Sequence, residues 1–598
     1  MEKEPHPRLP LPLSALGMAV LLATALIGRA AAPSLIAVAA LLAVAEFGWR
    51  LWSRGGHLPA TLLLFAPLLL LRFTSVADFE VRLLTFTALA ILIPLARHPL
   101  PARWRISFLS WRAPARWLLA WLILAAASLV MTSRGVWLSG DEPHYVMLAQ
   151  SLVEDHDFDV RNNLERGTYR SFHPVELEFH GSVHDGGFYL FHLPGLSFLL
   201  APFYLLWRLL GLPLAAPLYF RLVAALIGAT FALLLFRALR SLLPDTDPSP
   251  GWLLFIATFP LLFHGCHLYP EIPAATLTLG AFLLMAGERR HPLPAGLLLA
   301  LVPWFHIKYT LGVVVVGLWM AWQALRRRDL RQLAALALVP VCSALLLAFY
   351  SHTLYGSYSP DAIFPHGDYW TVPLSLRVQT FLAILLDQRD GLLVYAPLIL
   401  LLPLTLRSRL PQRGLMAALL FGYLASHAFT TVRGAYSPAG RPVMFAAWAL
   451  FLLLAAFAGE HRHDGWGRLL RLLGAFGILA SGILLCHPLF AYQAVTQATR
   501  DGASSLLLFL GSDMVPLPDL FPSFLKIPSA PPHPANLAWL GLLGLLVLLY
   551  GLRRPTAGRS TTGQPWITLL LFLAAVGLTC VFPHLHLGRT SRLPAGVH

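Results

Sequence analysis

Long apolar runs recur from one end of the chain to the other, among them Leu11 to Ile27, Ile36 to Ala45, Trp117 to Val130, Leu311 to Trp322 and Ile567 to Val576. A bilayer span needs roughly 20 mostly apolar residues. The pattern therefore predicts an all-α polytopic membrane protein. The first run, followed by Ala30-Ala31-Ala32, has the outline of a signal peptide. Further spans follow it at once, so an uncleaved first helix is expected. Four spans precede a basic cluster that ends at Arg116, and a fifth, about Trp117 to Met131, leads into the longest polar stretch of the first half, Ser133 to Leu218.

Within that stretch Leu193 to Leu210 is apolar but punctuated by Pro194, Gly195, Pro202 and Arg208. It is expected to lie along the membrane as an interfacial helix, because counting it as a span would invert every later basic cluster. The expected total is about 17 spans, about 13 of them after the first basic cluster. This divides the chain into 1–116, extra N-terminal helices with a basic cytoplasmic loop, and 117–598, the main membrane region. Other external segments are His264 to Pro273, Ser351 to Gly391, Thr430 to Arg441 and the proline-rich His487 to Asn536. The last is expected to be irregular.

Composition supports the membrane reading. Hydrophobic residues make up 57% of the 598 positions and charged residues 12%, against about 25% charged in soluble domains. The net charge of +15 could suggest nucleic acid, but the basic residues form short clusters between apolar runs. Arg97, Arg103, Arg105, Arg112 and Arg116 form one, and Arg326, Arg327, Arg328 and Arg331 another. Their spacing reads as topology, with both clusters cytoplasmic and no nucleic-acid partner. Threading from these anchors places about 26 basic and 9 acidic residues inside, and about 18 basic and 20 acidic outside. Cys266, Cys342, Cys486 and Cys580 are far apart and lack metal-type spacing.

Candidate chemistry begins at Ser139-Gly140-Asp141-Glu142-Pro143-His144-Tyr145. Asp is a good N-cap, Pro suits a first turn, and Val146, Ala149, Leu152 and Val153 form a helical stripe, so an amphipathic helix begins at Asp141. Asp141 can be only the cap and Glu142 only a complement to the helix dipole. Alternatively, a carboxylate at the membrane surface acts as general base toward a hydroxyl, with the second orienting it or holding a divalent ion. A lipid-borne donor whose phosphate leaves at the surface would need cations. Lys308, Arg221 and Arg441 sit at outer span boundaries, against the positive-inside bias. Gly434, Gly440 and Pro438 around Arg441 suggest a shaped turn with exposed backbone donors.

The run Asp155-x-Asp157-x-Asp159 starts like a calcium loop, but Val160 and Arg166 stand where glycine and glutamate are required. His173, His180, His184 and His192 resemble a zinc set, yet Asp185-Gly186-Gly187 reads as a hairpin turn that scatters them. His264, His267, Tyr269 and Glu271 cluster at an outer helix end and can share a cavity with Glu142. Glu142, His267 and Glu271 are the candidate ligands for a divalent ion.

In order, Gly140-Asp141-Glu142, Phe191-His192-Leu193-Pro194-Gly195-Leu196, Arg221, Tyr269-Pro270-Glu271-Ile272-Pro273, Lys308 and Ser437-Pro438-Ala439-Gly440-Arg441 resemble the GT-C class of membrane glycosyltransferases. The likeness is to the branch with protein O-mannosyltransferases and lipid A aminoarabinose transferases, and covers roughly 117–598. It implies inverting transfer of a sugar from a polyprenyl-phosphate donor to an acceptor at the periplasmic face of a bacterial inner membrane. Asp141 would be the base, Glu142 its partner or a metal ligand, and Lys308, Arg221 and Arg441 the phosphate clamp. The branch has a charged or polar residue followed by two prolines where this chain reads His-Leu-Pro-Gly-Leu, and it lacks the four extra N-terminal spans. The acceptor, whether lipid, glycan or protein, stays open. A lipid-linked glycan polymerase or ligase is the rival enzyme, and a lipid or solute transporter the rival class.

Overall fold

The computed structural model describes residues 108–211, 215–360, 373–429, 437–492, 503–511, 517–524 and 534–552. The four expected N-terminal spans, Arg97 to Arg105, Arg433 and Gly434, and the last apolar run lie outside the described residues.

The architecture is a helical bundle. In chain order its main helices are α1 (Ala113–Ser133), α2 (Glu142–Glu154), α3 (Gly195–Leu210), α4 (Ala216–Leu242), α5 (Ser249–Ala257), α6 (Glu271–Ala286) and α7 (Pro292–Phe305). They continue as α8 (Thr310–Arg326), α9 (Leu330–Tyr355), α10 (Leu374–Leu386), α11 (Arg413–Phe429), α12 (Ala447–Glu460), α13 (Gly465–Cys486) and α14 (Pro534–Leu552). Among the described residues, seven helical units are long and apolar enough to cross a membrane: Ala113–Ser133, Ala216–Leu242, Ile307–Arg326, Leu330–Tyr355, Arg441–Glu460, Gly465–Cys486 and Ala535–Leu552. Shorter apolar helices include α3, α6, α7 and α10. The chain is thus a mostly helical integral membrane protein.

Burial places these units. In the most apolar stretches of Ala216–Leu242 and Arg441–Glu460, 61% and 78% of residues are buried, against 11% in Leu330–Tyr355. The first two line the interior, and α9 forms a flank that presents Leu338, Leu345 and Phe349 outward. α4 packs against α1 and α6, α6 against α7, α7 against α9, and α11 against α8, α10 and α12.

Residues 134–211 form an ordered unit packed on this bundle. α2 packs on α3, and α3 also touches α7. A Cβ on Gly195 would lie 2.7 Å from the Trp304 carbonyl oxygen, so this close approach requires glycine. Sixteen residues make α3 about 24 Å long, short of the roughly 30 Å hydrocarbon core. Leu196, Leu200 and Tyr204 are buried, while Phe198, Leu205 and Leu209 form an outward apolar face.

Between α2 and α3 a hairpin pairs β1 (Gly181–His184) with β2 (Gly187–Leu190) in antiparallel register. Asp185 and Gly186 turn the chain with φ of 48° and 79°, the left-handed pair that two-residue hairpins use. Asp159 Oδ1 accepts the backbone N–H groups of Phe188 (2.8 Å) and Arg161 (3.0 Å), so the acidic run is a loop tie.

Candidate functional site

Asp141 and Glu142 are adjacent in sequence and belong to two different clusters. Glu142 is fully buried. Its Oε2 accepts the backbone N–H of Ser139 at 2.9 Å and its Oε1 that of Leu268 at 2.9 Å. Arg221, also fully buried, stands 3.5 Å from Oε2 and donates to the carbonyls of Trp137 (2.9 Å) and Cys266 (3.1 Å). Burial pushes the Glu142 carboxyl up, and Arg221 offsets part of that rise. This pair fastens the start of α2 to α4 and to the turn before α6.

Asp141 precedes α2 but makes no side-chain cap bond. Glu142 reaches back to the Ser139 N–H instead, which corrects the cap expected at Asp141. The freed Asp141 carboxylate receives Arg441 Nη2 on Oδ2 at 2.7 Å and faces His192 Nε2 from Oδ1 at 3.4 Å. Burial pushes this carboxyl up, but Arg441 and His192 outweigh burial and hold it well below the ordinary carboxylate range. Asp141 and Arg441 are 300 positions apart. Only the folded bundle joins them.

From Arg441 the charges continue inward and out again. Arg441 Nε donates to Glu271 Oε1 at 3.0 Å, and Lys308 Nζ donates to the same oxygen at 2.8 Å. The guanidinium also lies 4.0 Å from the centre of the Tyr269 ring, a cation–π contact. The ion chain Asp141–Arg441–Glu271–Lys308 is exposed at its two ends, with side-chain exposures of 20% and 19%, and enclosed in the middle, with 8% and 1%. Its ends are a carboxylate and an ammonium.

Helix starts position these groups. Glu271 opens α6, Lys308 lies in the turn before α8, and Arg441 begins the turn before α12. Three helix starts therefore gather around one region, where the Lys308 N–H is already taken by His306 Nδ1 at 3.2 Å. Gly440, at φ 69°, makes the turn that delivers Arg441, and a Cβ there would meet a Leu392 methyl carbon. The turn is held by Ala439 N–H to the Ala491 carbonyl (2.8 Å), Gly440 N–H to the Asp390 carbonyl (2.9 Å), and His264 Nε2 to the Ala439 carbonyl (2.9 Å). The backbone donors expected to be exposed at Ala439 and Gly440 are consumed by this scaffold.

The hairpin gathers histidines rather than scattering them. Pairing of β1 and β2 puts Phe191 N–H on the His180 carbonyl at 2.9 Å, so His180 and His192 come back together. Their rings stack with His144: centroids are 4.5 Å apart for His144 and His180, and 5.3 Å for His144 and His192. His173 and His184 are elsewhere, the latter beside Asp185. Deeper in the bundle, Glu271 Oε2 and the hydroxyls of Tyr309, Thr310 and Tyr423 are buried without a hydrogen-bond partner.

The structure thus brings Asp141, Glu271, Lys308 and Arg441 together and sets Arg221 and Glu142 apart in a sealed pair. That separation removes Arg221 from the expected clamp and Glu142 from the expected base pair. His267 uses Nδ1 on the Phe263 carbonyl and Nε2 on the Tyr492 hydroxyl, so Glu142, His267 and Glu271 do not converge. Among the described residues no group of three or more His, Cys, Asp or Glu side chains is arranged to hold a metal ion.

His192 and Tyr269 were visible in sequence as parts of longer motifs, but nothing there marked them as contacts of Asp141 and Arg441. Comparison with protein-family models, curated proteins and solved structures finds no match to this chain.

Proposed function

We propose that the protein is a membrane-embedded inverting glycosyltransferase of GT-C architecture that moves a sugar from a polyprenyl-phosphate donor to an acceptor hydroxyl. The active end faces the periplasm of a bacterial inner membrane, opposite the cytoplasmic arginine clusters. In this reading α3 lies on the membrane surface, while α6 and α7, joined by a short turn, cross with the longer helices toward a total of about 13.

The observation that carries the proposal is the ion chain, which collects two carboxylates and two cations from four helix starts at one end of the bundle. Lys308 and Arg441 can neutralise a leaving phosphate. Asp141, at the opposite exposed end, faces the acceptor. The acceptor hydroxyl oxygen attacks the anomeric carbon from the side away from phosphate, forming a new C–O bond there and giving its proton to a base at the Asp141 end of the site. The bond from that carbon to the phosphate oxygen breaks, and its electron pair leaves with polyprenyl phosphate. The unpartnered hydroxyls of Tyr309 and Tyr423 and Glu271 Oε2 suit a ligand rich in hydroxyl groups.

A glycan polymerase or ligase would use the same cations and differs only in acceptor. Transport would place its charges in broken helices near mid-membrane, whereas Lys308 and Arg441 lie at the ends of the spans Ile307–Arg326 and Arg441–Glu460. The test is turnover in proteoliposomes supplied with a panel of polyprenyl-phosphate sugars, together with glycolipid profiling of a deletion strain. Release of polyprenyl phosphate by the wild type and its loss in Arg441→Met are expected. A wild type that consumes no such donor, with an unchanged glycolipid profile, contradicts the proposal.

A further inference from the structure

A carboxylate held as low as Asp141 is a weak base, because proton affinity falls with pKa. Arg441 occupies one of its oxygens at 2.7 Å and His192 faces the other at 3.4 Å. Asp141 can therefore steer a hydroxyl, but it does not retain the proton.

The imidazoles beside it are arranged differently. A ring nitrogen that faces a carboxylate or carbonyl carries the proton, and the other nitrogen is then a bare acceptor. His192 faces Asp141 through Nε2, and His144 bonds the Glu178 carbonyl through Nε2 at 2.9 Å. Both contacts leave Nδ1 as the acceptor. Both Nδ1 atoms are buried and have no partner. Two bare acceptor nitrogens thus lie on nearly parallel rings 5.3 Å apart, one of them on the ring that touches Asp141.

We infer that His192 is the proton acceptor of the transfer reaction, with Asp141 holding its tautomer and stabilising the imidazolium that forms. This rests on the glycosyltransferase reading and names a catalytic residue for it. As the acceptor oxygen bonds to the anomeric carbon, its proton passes to His192 Nδ1 while the electron pair of the broken bond leaves on phosphate. The imidazolium then returns its proton to water at the partly exposed Asp141 end of the site. His144 stays neutral, since burial holds it down to about 3.

The groups that face His192 are Asp141, His144 and Tyr145 from the α2 end, His180 from the hairpin and His306 from the turn after α7. Arg441 acts through Asp141. Among these Asp141 stays charged and His144 neutral, so an acid-side loss of activity that disappears in His192→Ala reports neither of them.

The experiment is the pH profile of donor turnover in proteoliposomes for wild type and His192→Ala, with and without added imidazole. The expected result is a wild-type rate that falls on acidification and a variant rate lower by about 10²- to 10⁴-fold. The variant should lack that fall and regain turnover with imidazole. If His192→Ala does not fold, His192→Gln gives the same pH comparison with an amide beside Asp141. A folded variant with the wild-type profile, or without imidazole rescue, overturns the role of His192 and leaves the transfer reading standing. A wild type inactive on every donor overturns both.

Discussion

Arg221 and Arg441 each meet a carboxylate at the same end of the bundle, and the two pairs behave as opposites. Around Glu142 and Arg221 most of the remaining bonds come from backbone, through Ser139, Leu268, Trp137 and Cys266, with the Ser139 hydroxyl adding a longer one at 3.4 Å, and neither side chain reaches solvent. Around Arg441 the partners are side chains, Asp141 and Glu271, and the chain of charges ends in partly exposed groups on both sides. A charge satisfied by backbone is committed to the fold. One satisfied by movable side chains can exchange a partner for a ligand.

The largest expected effect falls on the sealed pair. Arg221→Met strands a buried carboxylate and should lower stability by about 3–5 kcal/mol, whereas replacing both partners by apolar residues of similar volume should recover most of it. Denaturant unfolding in detergent measures both. A single variant as stable as wild type would show that the pair is not the fastening it looks to be.

Next is Gly440→Ala, which puts a Cβ on a left-handed residue against Leu392. It should lower stability by about 1–3 kcal/mol and displace Arg441, so donor turnover should fall further than stability predicts. Equal effects on both would deny that the turn serves the open cluster.

A smaller effect concerns the scaffold that holds that turn. Asp390, whose carbonyl receives Gly440, neighbours Asp387, which accepts the N–H groups of Phe524, Arg389 and Asp390. Burial, then Asp390, pushes the Asp387 carboxyl up to about 7. The folded state then binds more protons than the unfolded one between about pH 4 and 7, so stability declines as pH rises through that window and levels off above it. Asp387→Asn should flatten the slope. An unaltered slope in thermal unfolding across those pH values would assign it to another group.

Much of the fold was legible because bilayer burial writes itself into composition. Helices appear at Trp117 to Met131, Leu311 to Trp322 and, within Leu193 to Leu210, at Gly195 to Leu210, and the turn at Asp185-Gly186 is where the dipeptide placed it. The site was legible as a set of residues but not as a partition. Adjacent positions 141 and 142 point in different directions around a helix start, and no spacing rule says which side meets the interior. The histidines were misread because a hairpin turn separates its tip from the core while pairing the positions that flank the strands. His184 left the cluster, and His180 and His192 entered it.

The most direct test of the contrast compares Asp141→Asn with Glu142→Gln for stability and for donor turnover in the same proteoliposomes. The account predicts that Asp141→Asn loses about 10²- to 10⁴-fold in turnover, far more than the fall in unfolding midpoint from the lost Arg441 ion pair accounts for. Glu142→Gln should instead unfold more easily and lose turnover only in proportion. Near-wild-type turnover by Asp141→Asn, in a preparation where the wild type is active, would contradict it.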